Sequence, residues 1–289
     1  MSEDRQRYAL AVIIPHYNDL DRLRTCLEHL HPQLSTDVEC VVVDNGSDDD
    51  IDGLMSSYPD LRLVVEPQKG AAAARNRGVR ETTAPLLTFL DCDCKPAPDW
   101  ISCGREVAAR GDLVGGRVDT FDETPAPRSG AEAFETVFAF HQRDYVKRKG
   151  FSVTANLLTP RSVFEAVGPF RNEVAEDVDW CHRATALGHK LVYADEWRVA
   201  HPTRQDWAAL RKKWRRTTNE RFQLAGTGFV ARLKWSAMAL VVLASGPAHL
   251  PKVWGSRRLS TREKYRGSLT LLRIRSTRAI WMVTQALTG

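Results

Sequence analysis

Between Leu86 and Asp93 the chain reads Leu-Leu-Thr-Phe-Leu-Asp-Cys-Asp, five residues suited to a buried strand followed at once by two carboxylates one residue apart. A short apolar run of this kind is what a central strand of a parallel sheet looks like when both of its faces are covered. Asp91 and Asp93 then fall beyond the carboxyl end of that strand, where open α/β sheets bind their ligands. Carboxylates so close repel one another unless a cation lies between them, and a hard divalent ion with oxygen ligands meets that need. A solvated aspartate pair in a turn is the plainer alternative.

The flanking pattern supports a layered α/β fold. Tyr8 to Ile14 predicts a first strand stopped by Pro15, and Leu20, Leu23, Leu27 and Leu30 follow at helical spacing until Pro32. Glu39 to Val43 predicts a second strand, closing on Asp44-Asn45-Gly46-Ser47 and the helix-capping run Asp48 to Asp50. Leu61 to Val65 is a third strand and Gly70 to Arg80 a helix. Strands alternating with helices at this interval imply βαβ units. Beyond them, Leu113 to Phe121 and Phe151 to Leu158 predict strands. Ala131 to Val146, Arg161 to Val167 and Glu176 to Leu187 predict helices, and Lys190 to Tyr193 a last short strand.

Two phosphate-binding devices are excluded. The place of a dinucleotide fingerprint holds Pro15-His16-Tyr17-Asn18, and the chain contains no Gly-Lys-Ser/Thr loop. If the chain handles phosphate, a metal ion is the expected means.

These motifs, in this order, resemble the family 2 inverting glycosyltransferases of GT-A fold. The residues that carry the likeness are Ile14-Pro15-His16-Tyr17-Asn18, Val43-Asp44-Asn45-Gly46-Ser47, Lys69-Gly70 with Ala74-Arg75-Asn76-Arg77-Gly78, and Leu90-Asp91-Cys92-Asp93. It continues through Thr154-Ala155-Asn156, Gly168-Pro169-Phe170, Glu176-Asp177-Val178-Asp179 and Ala200-His201. The resemblance implies an α/β GT-A fold with a mostly parallel central sheet in a catalytic domain over residues 1–202. Its nucleotide-binding half would cover about 8–95 and its acceptor half about 96–202. By the same resemblance Asp44 reads an N–H of the base, although it also sits where it would cap the turn at Ser47. Pro15, Tyr17 and Asn18 shape the loop under base and ribose, Tyr17 equally fitting an ordinary core position. Lys69, Arg75 and Asn76 lie beside the nucleotide, on a helix that would equally suit a solvated surface.

Asp93 would bind a Mn or Mg ion, with Asp91 on ribose or a metal-bound water and His201 as a further metal or diphosphate contact. Glu176 and Asp177 match the family's acidic pair, Asp177 as catalytic base and Glu176 on sugar or acceptor hydroxyls, while acids at a helix start also follow from the helix dipole alone. Asp179 and Arg183 read as a helix-surface ion pair. Thr154, Ala155, Asn156, Phe164, Gly116 and Arg117 resemble an acceptor-side wall, and Trp180 is either core or a platform for sugar stacking.

Composition matters most in the last third. From Thr203 onward 18 Lys and Arg face only Asp206, Glu220 and Glu263, whereas the 202 residues before carry 23 basic and 33 acidic groups. Such a basic extension, residues 203–289, suits phosphate surfaces. Trp207, Leu210, Trp214 and Phe222 are interleaved with Arg and Lys, and Trp235 to Pro251 is uncharged but only 17 residues long. About 20 apolar residues are needed to cross a bilayer, so a surface or buried helix is expected. Leu269, Leu272, Ile280, Val283 and Leu287, with Arg266, Arg273, Arg275 and Arg278 between them and Trp281 near the end, form a second amphipathic piece. A helical subdomain packed on the catalytic fold is the alternative to peripheral membrane contact. No nucleic-acid motif is present, so nucleic acid is not an expected partner.

The six cysteines show no zinc or Cys-x-x-Cys spacing and read as reduced core residues of a cytosolic protein. Met1 to Arg7 is polar, without the apolar stretch of a secretory signal. The expectation is a metal-dependent transferase at the inner face of the cell membrane. It would move sugar from a UDP-linked donor to a glycan or lipid-linked acceptor of cell-surface polysaccharide or glycolipid. A polyprenyl phosphate is the second candidate acceptor, and an inactive nucleotide-sugar or membrane-binding module is the competing reading.

Overall fold

The computed structural model describes residues 8–172, 174–226 and 228–288; the reading of Met1 to Arg7 lies outside the described residues. The strands are β1 (Leu10–His16), β2 (Val38–Asp44), β3 (Arg62–Val65), β4 (Leu86–Leu90), β5 (Lys95–Pro96), β6 (Leu113–Phe121), β7 (Asn156–Pro160) and β8 (Leu191–Pro202). The helices are α1 (Leu20–Leu30), α2 (Ile51–Met55), α3 (Ala71–Glu81), α4 (Trp100–Ala108), α5 (Gly130–Phe138), α6 (Gln142–Lys149), α7 (Arg161–Val167), α8 (Glu176–Ala186), α9 (Trp207–Ala225), α10 (Phe229–Ala248), α11 (Leu250–Trp254) and α12 (Thr261–Thr288).

One mixed sheet runs in the order β3-β2-β1-β4-β7-β6-β8-β5. Pairing is parallel among β3, β2, β1 and β4 and turns antiparallel at β7. In β4, Leu87, Phe89 and Leu90 are fully buried, which is the environment its unbroken apolar run demands. Register pairs His16 with Asp44, so the ends of β1 and β2 deliver both side chains to the same edge.

Helix α3 lies close to the sheet because its inner face is small: Ala72, Ala73, Ala74 and Gly78 are buried. A methyl group added at Gly78 would collide with Ile13 and press on Val43. Behind β4, Phe89, Phe164, Phe170 and Trp180 form an aromatic cluster with ring centroids 5.2–6.2 Å apart, and this cluster seats the start of α8.

The chain divides into two compact units, one of residues up to Asp119 together with His141–His201, the other of Thr120–Phe140 together with Pro202 onward. The division differs from a single boundary at 202. Its physical reason is α5, whose Ala131, Ala133 and Phe134 share a core with Leu210, Val253, Leu259, Leu271 and Ile274. The single helix expected over 131–146 is two, because Ala139 is extended and Phe140 adopts a left-handed φ of 51°. In the second unit, Trp207, Trp214 and Trp281 each carry an arginine over the ring, from Arg273, Arg278 and Arg215 respectively.

The short apolar stretch lies within a longer helical segment. Helices α10 and α11 extend on both sides of Trp235 to Pro251, and the 26 residues from Phe229 to Trp254 are, by length and composition, long and apolar enough to cross a membrane. Leu233, Leu240 and Val241 on it are more than 60% exposed.

Gly78→Ala tests the close seating of α3. We expect a loss of about 1–3 kcal/mol in chemical denaturation, with the Arg75 contacts described below displaced along with the helix.

Candidate active site

The site is built at the carboxyl edge of the parallel strands, from residues of the first unit only. At the β1–β2 edge, buried Asp44 accepts from the Ser47 hydroxyl (2.5 Å) and from the Gly46 and Ser47 backbone N–H groups (both 3.1 Å). His16 Nε2 accepts from the Asp19 N–H at 3.2 Å; that pattern assigns the ring proton to Nδ1, which faces Asp44 Oδ1 at 3.2 Å. Burial opposes ionisation of Asp44, but Ser47 and His16 outweigh it and hold the carboxyl below its ordinary range. The capping role weighed against base reading is therefore realised in the geometry.

Asn18, at φ 47°, ties the first loop to the second by accepting from the Asp48 N–H at 2.8 Å. Asn45 is a hub that the sequence reading missed. It donates to the carbonyls of Glu66 (2.8 Å) and Gln68 (2.7 Å) and accepts from the Gly70 N–H (2.7 Å). Lys69 consequently stands over Tyr17, its Nζ 4.4 Å from the ring centroid, with Tyr17 half exposed rather than core. Pro15 precedes this corner within β1.

At the β4 edge the central feature is Arg75. Its guanidinium, 4% exposed, donates to Asp91 Oδ1 at 2.6 Å and to Glu176 Oε1 at 3.0 Å. Neither a nucleotide-facing nor a solvated side chain describes it: Arg75 joins the first aspartate of the strand-end pair to the acidic pair of α8. Burial alone would lower its pKa, and Asp91 and Glu176 reverse that and raise it.

Asp177 follows Glu176 and is half-buried. Loss of hydration, then the Glu176 charge, push its carboxyl up to about 7 against the Val178 N–H bond and Arg75. Asp179 makes the expected ion pair with Arg183, at 2.9 Å.

Asp93 lies within a turn closed by the Cys94 N–H on the Asp91 carbonyl (3.0 Å). The segment is thus not extended, and Cys94 is buried while Cys92 is half-buried. His201 Nε2 is 3.1 Å from Asp93 Oδ2. The two-residue strand β5, invisible to a periodicity search, explains the meeting. Lys95 pairs with Ala200 in antiparallel register, so His201 is carried alongside Asp93 on a strand much longer than the expected Lys190 to Tyr193.

Among the described residues no three His, Cys, Asp or Glu side chains form a preformed metal cage. A cation that takes most of its ligands from phosphate and water needs only one or two protein donors, and the Asp93–His201 pair fits that demand. Asp91, expected to share in it, has Oδ1 committed to Arg75.

Several other expectations are corrected. The Asn76 amide is spent at both ends on the Phe170 backbone, at 2.9 Å each way, and serves α3 packing rather than a nucleotide. Asn156, fully buried, accepts from the Trp100 indole (2.9 Å) and donates to the carbonyls of Arg117 and Trp197. It is a core residue, as are Thr154, Ala155, Phe164 and Trp180. Gly116 is needed because Asn156 and Trp197 approach its backbone, and Arg117 is paired with Asp119 at 2.8 Å.

A sheet of this order, parallel from β3 to β4 and antiparallel from β7, with acidic side chains at its strand ends, is that of the GT-A fold. Residues 11–168 match glycosyl transferase family 2, and the chain belongs to that family. Glycosyltransferase AglE of Haloferax volcanii is 33% identical over 71% of this chain and 71% of its own length. The mannosyltransferase PcManGT from Pyrobaculum calidifontis, solved with GDP-Man and Mn2+, superposes with a TM-score of 0.56 at 16% identity over 97% of this chain and 73% of its own. TarS of S. aureus with UDP-GlcNAc gives 0.55 at 15% identity over 95% and 84%. These likenesses to solved structures show the GT-A fold.

Arg75→Met tests the junction. It leaves Asp91 and Glu176 without their shared cation, and we expect a loss of about 3 kcal/mol, the low end for breaking a buried pair because both partner carboxylates are about a quarter exposed. Calorimetric melting reads the loss, and a wild-type melting curve would contradict it.

Proposed function

We propose that this chain transfers a sugar, with inversion at the anomeric carbon, from a UDP-linked donor to a glycan or lipid-linked acceptor in the making of cell-surface polysaccharide or glycolipid. The reaction would take place at the cytoplasmic face of the membrane. The observation that carries the reading is the Arg75 junction, which joins Asp91 at the strand end to Glu176 of α8, while Asp177 beside it is pushed up to about 7. A base with a pKa near neutrality is half deprotonated where the enzyme works and still strong enough to accept a proton.

In the proposed step, Asp177 takes the proton of the acceptor hydroxyl as that oxygen attacks the anomeric carbon. The bond from this carbon to the diphosphate oxygen breaks, and the nucleoside diphosphate leaves with the electron pair. Glu176, fixed by Arg75, orients sugar or acceptor hydroxyls. Tyr17 and Lys69 line the nucleoside side, and Asp44 accepts an N–H from the base with its remaining lone-pair capacity. Asp93 and His201 would hold a Mn or Mg ion, whose charge, when bound, neutralises the leaving diphosphate; the imidazole favours Mn of the two. Asp91 holds Arg75 and reaches ribose or metal-bound water through its other oxygen. The exposed apolar side chains of α10 and the 18 cations after Thr203 support peripheral membrane contact.

Asp177→Asn should lower transfer about a hundredfold or more while sparing donor binding by calorimetry. In the wild type the acid limb of the rate should fall near pH 7, because the protonated carboxyl cannot act as base. Stability moves the opposite way. Between pH 4 and 7 the folded chain keeps a proton that the unfolded chain has released, so this residue costs stability as pH rises, at most about 4 kcal/mol. The Asn variant should therefore gain in Tm over wild type at pH 8 and not at pH 4. A full-rate variant would put the base elsewhere. Asp93→Asn should remove the Mn-dependent gain in UDP affinity, and an undiminished gain would exclude it from the cation's ligands.

A further inference from the structure

Charge in the C-terminal unit is of two kinds. Buried Glu135 is answered by Lys213 at 2.6 Å and by the Arg204 N–H at 2.8 Å, which together keep it below its ordinary range despite burial. Arg221 on α9 and Arg275 and Arg278 on α12 have no carboxylate partner among the described residues.

Arg278 is only 5% exposed. Its guanidinium stacks on Trp214, 4.2 Å from the ring centroid, and its Nε donates to Thr218 Oγ1 at 3.3 Å. The Nε of Arg275 and the indole N–H of Trp214 are buried without an acceptor. Loss of hydration, then the charges of Arg275 and Arg221, push Arg278 down to about 9, and loss of hydration followed by Arg221 lowers Arg275. One cation–π stack returns far less than it costs to dehydrate a guanidinium beside two others. Arg221 is exposed, so the group opens to solvent at one end.

We propose that Arg221, Arg275 and Arg278, with the Trp214 N–H, form a binding site for the phosphate or diphosphate group of a lipid. Arginine forks chelate phosphate oxygens, and a multivalent anion beside them would offset their charges. A lipid is indicated because α12 packs along α10. Ala239, Ala279 and Met282 meet there, Trp235 donates to Gln285 at 3.2 Å, and the α10 backbone passes Arg275 at Gly246. Helix α10 is in turn part of the 26-residue apolar stretch, little of which is buried. This deepens the acceptor half of the proposed function, since a lipid-linked sugar acceptor carries such a phosphate.

Flotation of the full chain with phosphatidylcholine vesicles containing either phosphatidic acid or phosphatidylglycerol, in EDTA, tests it. We expect tighter binding to the phosphomonoester lipid, weakened about tenfold by Arg221→Gln or Arg275→Gln, the effect of losing one charge-assisted bond. Arg278→Met should lose the same preference and gain in Tm, since it removes an uncompensated charge. Equal affinities in wild type and variants would overturn the site, as would a lower Tm for Arg278→Met with its vesicle binding intact. In a parallel arm, protection of wild type by inorganic pyrophosphate without any vesicle preference would assign the site to a soluble phosphate and overturn the lipid. UDP release from donor with Mn is read in parallel on the wild type alone. If wild type releases no UDP, the transfer reading fails alone and the vesicles still decide this one.

Discussion

A guanidinium removed from water between two carboxylates is the constraint on which the catalytic unit turns. Arg75 reaches Asp91, 16 residues onward, and Glu176, 101 residues onward, so one side chain joins the end of β4 to the start of α8. Dehydrating it is costly, and only closely placed anions offset that cost. Its position depends on the distance of α3 from the sheet, which Ala72, Ala73, Ala74 and Gly78 hold small. The conformational freedom of the site is thereby limited by packing several residues away from any reacting atom.

The same arrangement separates the roles of neighbouring acids. Asp91 and Glu176 each share the Arg75 charge directly, whereas Asp177 is left with loss of hydration and the repulsion of Glu176 as its largest influences. Similar side chains in adjacent positions acquire different proton affinities because one cation serves two of them and not the third. At the other edge Asp44 goes the opposite way, its hydrogen bonds from Ser47 and His16 favouring the charged form. One carboxylate kept ionised and another near its titration point is the chemical asymmetry the proposed transfer calls for.

What the sequence revealed follows from range. The parallel strands β1 to β4, their intervening helices and the acid motifs at their ends are written in runs of five to twelve residues, and the family's motif order adds to them. Contacts across long separations were not legible. Asn76 and Asn156 look like polar site residues in sequence, yet each is consumed by backbone groups of distant segments. The His201–Asp93 meeting needed β5, a strand of two residues with no periodicity to detect. The break at Phe140 depends on a backbone angle that residue type does not encode, and it moved α5 into the core of the other unit. Counting uncharged residues understated the length of α10, because Arg232 and Lys234 interrupt the run near its start without ending the helix.

In the C-terminal unit, charge number and charge placement tell different stories. Eighteen cations on a tail are compatible with any anionic surface, and most of them are solvated or stacked on tryptophan. Exposed cations of this sort bind diffusely and weaken steeply with salt. Arg278 is of another type, because a fully charged side chain with little access to water gains nothing from a diffuse field unless a counter-charge enters beside it. The folded chain retains it at the expense of stability while satisfying Glu135 with Lys213 and Arg204 in the same unit. A fold able to pair one buried charge and leaving another unpaired is best understood as holding the second for a ligand.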